Sequence, residues 1–150
     1  MSPKEHRAKA GWAALAVAVV GGFEGMRTVA YRDPVGIPTV CFGETRGVHM
    51  GDRYTPEQCK EMLGDRLQEF DRGVAECVDV ARMTPYRHAA VVSFAYNIGI
   101  GGFCKSSFAR RLNEGDPRAC DELEKYVYAH GLRLPGLVRR RHEEAQLCRS

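Results

Sequence analysis

The chain has 150 residues, a length that fits one domain or two small lobes sharing a cleft and excludes a multidomain assembly. Hydrophobic residues make up 44% and charged residues 27%, a balance typical of a globular protein and not of a disordered one. The net charge of +3 suits an anionic partner, but it is far weaker than the concentrated positive charge of nucleic-acid-binding proteins. We therefore do not expect nucleic acid as a partner.

An uncharged stretch of thirteen residues, Gly11 to Phe23, follows a segment that contains Lys4, Arg7 and Lys9. This order is similar to the n-region and h-region of a signal peptide. As a helix the stretch would span only ~20 Å, which is short of the ~30 Å hydrocarbon core of a bilayer. Two interpretations stay open: an export or membrane-tethering segment, and the buried first helix of the fold.

The segment after this stretch predicts a small β-hairpin. Strand-forming residues lie on both sides of the turn sequence 33–36, in which Asp, Pro and Gly occupy the positions that a type I turn favours. Pro38 indicates an edge strand, because proline has no amide hydrogen for a neighbouring strand. A polar loop that contains glycines follows over residues 43–53.

The rest of the chain predicts helices. The sequence Thr-Pro-Glu-Gln at 55–58 has the pattern of a capping box. An apolar stripe from Met62 to Val78 follows it, on a long helix that ends before the next Thr-Pro pair, at 84–85. That pair opens a central apolar helix, which ends at the glycine cluster 99–102. A short helix is predicted over about 106–113, and another over about 116–129.

The last predicted helix begins near Leu137 and has Arg139, Arg140 and Arg141 in its first turns. The helix dipole does not favour cations at this end. The arginines therefore indicate another partner, such as a carboxylate in a cleft. A solvated basic face is the alternative.

Six cysteines are a high density for a chain of this length. No Cys-x-x-Cys pair occurs, so the spacing typical of a zinc site is absent, and no metal is expected. Disulfides in an oxidising compartment explain the pattern better than small buried thiols in a reduced core, which stay the alternative. The six residues are Cys41, Cys59, Cys77, Cys104, Cys120 and Cys148.

Two carboxylates lie in unlike surroundings. Glu24 ends the apolar stretch, where desolvation favours a protonated carboxyl, and Asp33 begins a polar turn. Glycosidic cleavage needs such a pair: a proton donor for the leaving oxygen, and a carboxylate that activates water or stabilises the cationic sugar. Thr39, on the returning strand, is a candidate to hydrogen-bond that water.

The spacing of these residues, Glu24-x8-Asp33-x5-Thr39, resembles the signature of phage-type lysozymes, glycoside hydrolase family 24. The motif continues as Val-Cys-Phe-Gly in residues 40–43. Further segments resemble the central-helix motif of the family, the segment after it and its terminal arginine helix, in the same order: 93–99, 102–107 and 136–141.

The resemblance implies an α+β, mostly helical, two-lobed lysozyme fold in a single domain, residues 1–150. Residues 1–23 would form the first helix or the export segment, residues 24–54 a small β-hairpin lobe, and residues 55–150 a larger helical lobe. A saccharide cleft would lie between the two lobes.

The resemblance also implies roles for individual residues. Glu24 would be the general acid, and Asp33 and Thr39 would place a water for single displacement with inversion. Tyr96 would contact the sugar, with a place in the core as the alternative for an aromatic at helical spacing. Asn97 would bind substrate or cap its helix. Neither a metal nor an organic cofactor is implied.

Cysteine order in similar relatives implies the disulfides Cys41–Cys59, Cys77–Cys104 and Cys120–Cys148. The chain departs from the family at Glu44, where many members have a histidine, so a histidine-based ion pair is absent from that loop. In its cysteine content and apolar N-terminus the chain resembles signal-arrest-release endolysins, which are exported and held inactive at the membrane. This resemblance implies transient inner-membrane association through residues 11–23, and a periplasmic location after export.

The activity implied is that of a monomeric endolysin, a muramidase that hydrolyses the β-1,4 bond between N-acetylmuramic acid and N-acetylglucosamine in peptidoglycan, for host-cell lysis. A lytic transglycosylase is one alternative; it would use the same acid but yield a 1,6-anhydro product without needing Asp33. A non-catalytic peptidoglycan-binding module is the other, although it would have no need for Glu24, Asp33 and Thr39 together.

Overall fold

The computed structural model describes the backbone of residues 3–150 and the side chains of residues 11–150, so the side chains of Lys4, Arg7 and Lys9 lie outside it. The first helix, α1, spans Pro3–Glu24. Its side chains Trp12, Ala16 and Val20 recur at four-residue steps and are buried, which is the pattern of a helix packed on a core. Residues 11–23 therefore form a core helix in this structure. Within the described part of the chain, no helix has the length and apolar character needed to cross a bilayer.

The predicted hairpin is confirmed. Strands β1 (Arg27–Arg32) and β2 (Pro38–Cys41) pair antiparallel. The amide of Gly36 donates to the carbonyl of Asp33, and the amide of Asp33 donates to the carbonyl of Ile37, each at 2.9 Å. These two bonds close the turn and hold Asp33 at its first position.

Helix α2 spans Pro56–Ala75 and begins at the predicted capping box. The amide of Gln58 donates to Thr55 Oγ1 at 3.1 Å, and the amide of Thr55 donates to Gln58 Oε1 at 2.8 Å. The helix ends before Thr84, as predicted, but it stops at Ala75, so Val78 of the predicted stripe lies beyond it. Asp79 Oδ1 accepts from the amide of Ala81 and starts a separate 3-10 turn, because a short carboxylate competes for backbone amides.

Helix α3 spans Pro85–Ile98 and is the central helix of the fold, as predicted. Its residues from His88 to Ala95 are all buried, and it packs against α1, α2 and the last helix. The helix stops at Gly99, which has a φ of +90°. Glycine adopts this conformation without the steric cost of a Cβ atom.

Two short helices follow, α4 (Ile100–Cys104) and α5 (Ser107–Asn113). The helix predicted over 116–129 is wrong. A 3-10 helix covers Ala119–Lys125, and strands β3 (Tyr128–Ala129) and β4 (Leu132–Arg133) form a second hairpin. His130 and Gly131 between them both have positive φ, which is typical of a tight type I′ turn.

Helix α6 spans Pro135–Arg149, so it begins two residues before the predicted start. Buried apolar side chains fall into two clusters. One joins α1, the first hairpin and part of α2, and the other joins the later helices; α3 contributes to both. The residues on α3 therefore connect the part of the chain that carries Glu24 with the part that carries the arginines of α6.

The disulfides in the structure are the three that the resemblance implies. Cys41–Cys59 joins β2 to α2, with 4.9 Å between the Cα atoms. Cys41 has a φ of 60°, a conformation rare outside glycine, so the cross-link lies at a constrained end of β2. Cys77–Cys104 and Cys120–Cys148 link segments within the helical part.

Candidate active site

A cavity of about 580 Å³ lies beside the end of α1, within the size range of small-ligand sites. It combines residues of α1, the loop after β2, α2 and α3. Its lining residues are Glu24, Gly43, Glu44, Thr45, Arg46, Arg66, Glu69, Phe70, Tyr96 and Asn97.

Glu24 is the last residue of α1, and its side chain is 28% exposed. Arg140 Nη1 donates to Glu24 Oε1 at 2.9 Å, and the same guanidinium lies over the ring of Phe23. Arg140 is therefore the one among the three consecutive arginines 139–141 that pairs with Glu24. Arg139 is exposed. Glu24 thus has a cationic partner in addition to the apolar neighbours expected from the sequence.

Asp33 and Thr39 lie in the first hairpin and are not among the residues that line the cavity. Asp33 Oδ1 accepts from the amides of Val35 at 2.9 Å and of Ile37 at 2.8 Å. Thr39 is buried, and its hydroxyl donates to the carbonyl of Ile37 at 2.9 Å. Both side chains are therefore fixed to the turn, and Glu24, Tyr96 and Asn97 are the predicted residues that the structure brings together on the cavity.

Tyr96 lies on α3 and packs edge-on against Phe70, with 5.0 Å between the ring centroids. Burial raises the pKa of its phenol, and the negative charges of Glu24 and Glu44 raise it further. The hydroxyl therefore stays protonated at neutral pH and can both donate and accept a hydrogen bond. Asn97 is exposed, and its Oδ1 accepts a hydrogen bond from Arg141.

Four charged side chains on the cavity wall form a cluster that the sequence analysis did not find: Glu44, Arg46, Arg66 and Glu69. Arg66 donates to both oxygens of Glu44, at 2.5 and 3.2 Å, and to Glu69 at 3.0 Å. Arg46 donates to Glu69 at 3.1 Å. The cluster joins the loop after β2 to α2. Glu44 and Arg66 are 22 residues apart, so no local pattern in the sequence indicates their contact.

The carboxylate of Glu44 also accepts from two backbone amides, those of Thr45 at 3.1 Å and of Arg46 at 3.0 Å. Burial raises its pKa, but the hydrogen bonds from Arg66 and from these amides outweigh that effect and lower the pKa overall. The loop after β2 therefore holds an ionised carboxylate that is paired with an arginine of α2.

Within the described part of the chain, no cluster of histidine, cysteine, aspartate and glutamate side chains could hold a metal ion.

We predict that the contribution of Glu44 to stability disappears in acid. A carboxyl whose pKa is lower in the folded state stabilises the fold above its unfolded pKa, and this stabilisation is lost as pH falls through the folded value. Glu44→Gln should therefore lower the free energy of unfolding by about 1–3 kcal/mol at pH 7. The difference from wild type should shrink below about pH 4, near the ordinary pKa of glutamate.

Denaturant unfolding between pH 3 and pH 7 measures this difference. Glu61→Gln is the matched control, because Glu61 lies exposed on α2 and its substitution removes the same charge. A difference between Glu44→Gln and wild type that stays constant over the whole pH range would contradict the role of the ionised carboxylate.

Comparison with known proteins shows the family of the chain. The family model described as phage lysozyme matches residues 21–144. A protein of Pseudomonas phage phiKMV named SAR-endolysin is 40% identical over 144 residues, which cover 91% of this chain and 88% of the relative.

Solved structures are similar as well. A mutant lysozyme of phage P22 superposes with a TM-score of 0.82 at 30% identity, covering 90% of this chain and 95% of that one. The active form of the P1 phage endolysin Lyz gives a TM-score of 0.79 at 27% identity, covering 89% of this chain and 82% of that one. The match to the family model extends from the end of α1 through most of α6, and it includes Glu24, Asp33, Thr39 and Arg140. The chain belongs to the phage lysozyme family.

Proposed function

We propose that the chain is an endolysin, a muramidase that hydrolyses the β-1,4 bond between N-acetylmuramic acid and N-acetylglucosamine in bacterial peptidoglycan. The observation that supports this most is Glu24, which lines the cavity and is held there by Arg140. Family membership supports the same reaction class. The cavity is open to solvent and lined mainly by polar residues, as a polysaccharide substrate requires.

Glu24 is the general acid in this proposal. Arg140 occupies Oε1, so the proton for the leaving oxygen sits on Oε2. A general acid carries this proton until the glycosidic bond breaks and then passes it to the leaving oxygen.

Asp33 and Thr39 activate and place the attacking water in this proposal. The two amide donors on Oδ1 hold the Asp33 carboxylate in one orientation, which leaves Oδ2 to accept a proton from water. Thr39 donates its hydroxyl hydrogen to Ile37, so its oxygen is left to accept a hydrogen bond from the same water. Attack from the face opposite Glu24 would invert the anomeric configuration.

Tyr96 is a sugar-contacting residue in this proposal. It lines the cavity together with Glu24 and the Glu44 cluster, which consists of Glu44, Arg46, Arg66 and Glu69. Its phenol can donate to or accept from a sugar hydroxyl. Phe70 supports the ring from one side, which limits the orientations that Tyr96 adopts.

We predict that Glu24→Gln lowers the rate of peptidoglycan hydrolysis by at least ~10³-fold, because general-acid catalysis contributes roughly 10²–10⁴-fold to such reactions. Asp33→Asn should lower it by a similar order. The measurement is mass spectrometry of the ends released from purified peptidoglycan. Wild type should release reducing N-acetylmuramic acid ends, first formed as the α-anomer.

The control for this experiment is Glu61→Gln, which removes an exposed glutamate from α2. If wild type released 1,6-anhydro ends and Asp33→Asn stayed fully active, the protein would be a lytic transglycosylase and not a hydrolase. Binding to peptidoglycan without any product would favour a non-catalytic wall-binding module.

We also propose that residues 11–23 direct export and associate transiently with the inner membrane before the folded enzyme acts in the periplasm. The relative from phage phiKMV carries the name SAR-endolysin. Residues on the outward face of this part of α1 are apolar too: Ala14 and Ala18 are exposed, where a helix of a globular protein usually has charged residues. An apolar outer face fits a segment that is placed in two environments.

We predict that lysines at Ala14 and Ala18 reduce the membrane-bound and periplasmic fractions of the full chain in a Gram-negative host. Charges in the apolar segment oppose its insertion, whereas both positions are exposed in the folded protein. The purified variant should therefore still digest peptidoglycan. Lysines at Glu61 and Gln68, exposed on α2, form the control. An unchanged distribution for the variant with lysines at 14 and 18 would exclude this role of the segment.

A further inference from the structure

A buried polar network adjoins Glu24 through Arg140. It consists of Ser93 on α3 and Arg140, Arg141 and Glu144 on α6, all of which are buried. Glu144 has no exposed surface at all. Burial of an ionisable carboxyl is costly unless its charge is paired and its oxygens accept hydrogen bonds. A buried glutamate therefore raises the question of which function offsets this cost.

Both oxygens of Glu144 accept hydrogen bonds from protein donors. Ser93 Oγ donates to Oε2 at 2.5 Å, and Arg140 Nε approaches the same oxygen at 3.4 Å. Arg141 donates to Oε1. Every contact brings a donor to the carboxyl, which is the environment of an ionised carboxylate. Burial raises the pKa of Glu144, and the contacts with Arg141, Ser93 and Arg140 oppose that rise.

The guanidinium of Arg140 makes contacts in three directions. Its Nε meets Glu144, its Nη2 donates to the carbonyl of Ser93 at 3.3 Å, and its Nη1 donates to Glu24 at 2.9 Å. A guanidinium is planar and rigid, so two fixed nitrogens fix the direction of the third. Ser93 and Glu144 thereby determine where Nη1 points.

The charges also matter for the reaction. When Glu24 is protonated, as a general acid must be, the two arginines have Glu144 as their carboxylate partner. When Glu24 has lost its proton, Arg140 has two carboxylates. Glu144 therefore keeps a carboxylate beside Arg140 while Glu24 is protonated, in addition to orienting the guanidinium.

We propose that Glu144, held by Ser93, is a positioning residue that directs Arg140 onto the acid Glu24 and balances its charge. This inference rests on the proposed muramidase function. Glu144 is not among the residues that line the cavity, and it contacts Glu24 through Arg140. Its other arginine partner, Arg141, contacts Asn97. Arg140 and Arg141 at steps of i−4 and i−3 from Glu144 are neighbours on one helix face, so this pattern is visible in the sequence once α6 is known.

The test compares Glu144→Gln with Glu143→Gln, which removes the same charge from the exposed neighbour on α6. Glu144→Gln should lower kcat on purified peptidoglycan by about 10–100-fold at unchanged KM, because a small misplacement of a catalytic group costs up to ~10²-fold. Glu143→Gln should have the kcat of wild type.

The split between kcat and KM separates positioning from a merely structural role. Misdirection of Arg140 lowers kcat alone, whereas a loosened fold would also raise KM and lower the free energy of unfolding. Glu144→Asp keeps the charge that pairs with both arginines, so it should recover part of the kcat that Glu144→Gln loses.

Ser93→Ala keeps all charges and removes one hydrogen bond, so it should fold and lower kcat several-fold even if Glu144→Gln does not fold. Wild-type kcat in folded Glu144→Gln, or wild-type kcat in Ser93→Ala, would overturn the inference. Failure of the proposed function would look different: wild type itself would release no reducing N-acetylmuramic acid ends.

Discussion

The contact between Arg140 and Glu24 is the interaction on which the site depends. It joins residues that are 116 positions apart in the chain. Glu24 ends the first helix, and Arg140 lies in the first turns of the last one, so the acid is held in place only when both ends of the chain are folded against α3. The central helix contributes the carbonyl of Ser93, which anchors the same guanidinium. Placement of Glu24, the proposed acid, is thereby coupled to assembly of the whole fold.

The opposite wall of the cavity is held by charge in a different way. The Glu44 cluster joins the loop after β2 to α2, and the Cys41–Cys59 disulfide joins the end of β2 to the same helix. Two cross-links of different chemistry therefore fix the strand that carries Thr39 and the loop that follows it. Because arginine remains charged at all relevant pH values, an ion pair with Glu44 is insensitive to the neutral range in which a histidine would titrate.

Much of the fold was accessible from the sequence because its determinants are local. The turn at Asp33, the capping box at Thr55 and the glycine at the end of α3 act over a few residues, and all three form as expected. The prediction of a helix over 116–129 was wrong because an N-cap residue followed by proline is compatible with either a helix or a tight turn. The positive φ values of His130 and Gly131, which turn the chain into a hairpin, leave no clear pattern in the residues before them.

The site was accessible only in part. Motif spacing predicts Glu24 as a site residue, and the arginines near the start of α6 predict a carboxylate partner. Which of these arginines faces Glu24 depends on how α6 is rotated about its axis, and packing against the other helices determines that rotation. Glu44, Arg66 and Glu144 act through contacts between distant segments or inside the core. Burial of a glutamate such as Glu144 runs against the usual exposure of this residue type, so hydrophobic patterning does not reveal it.

The rate of peptidoglycan hydrolysis by Arg140→Lys tests most directly whether the guanidinium orients Glu24. Lysine keeps the positive charge, but it lacks the planar group that contacts Glu24, Glu144 and the Ser93 carbonyl at once. We expect a folded protein whose kcat is at least ~10-fold below wild type, because the acid is no longer oriented. Wild-type kcat in Arg140→Lys would show that a positive charge alone is enough, and it would contradict the account.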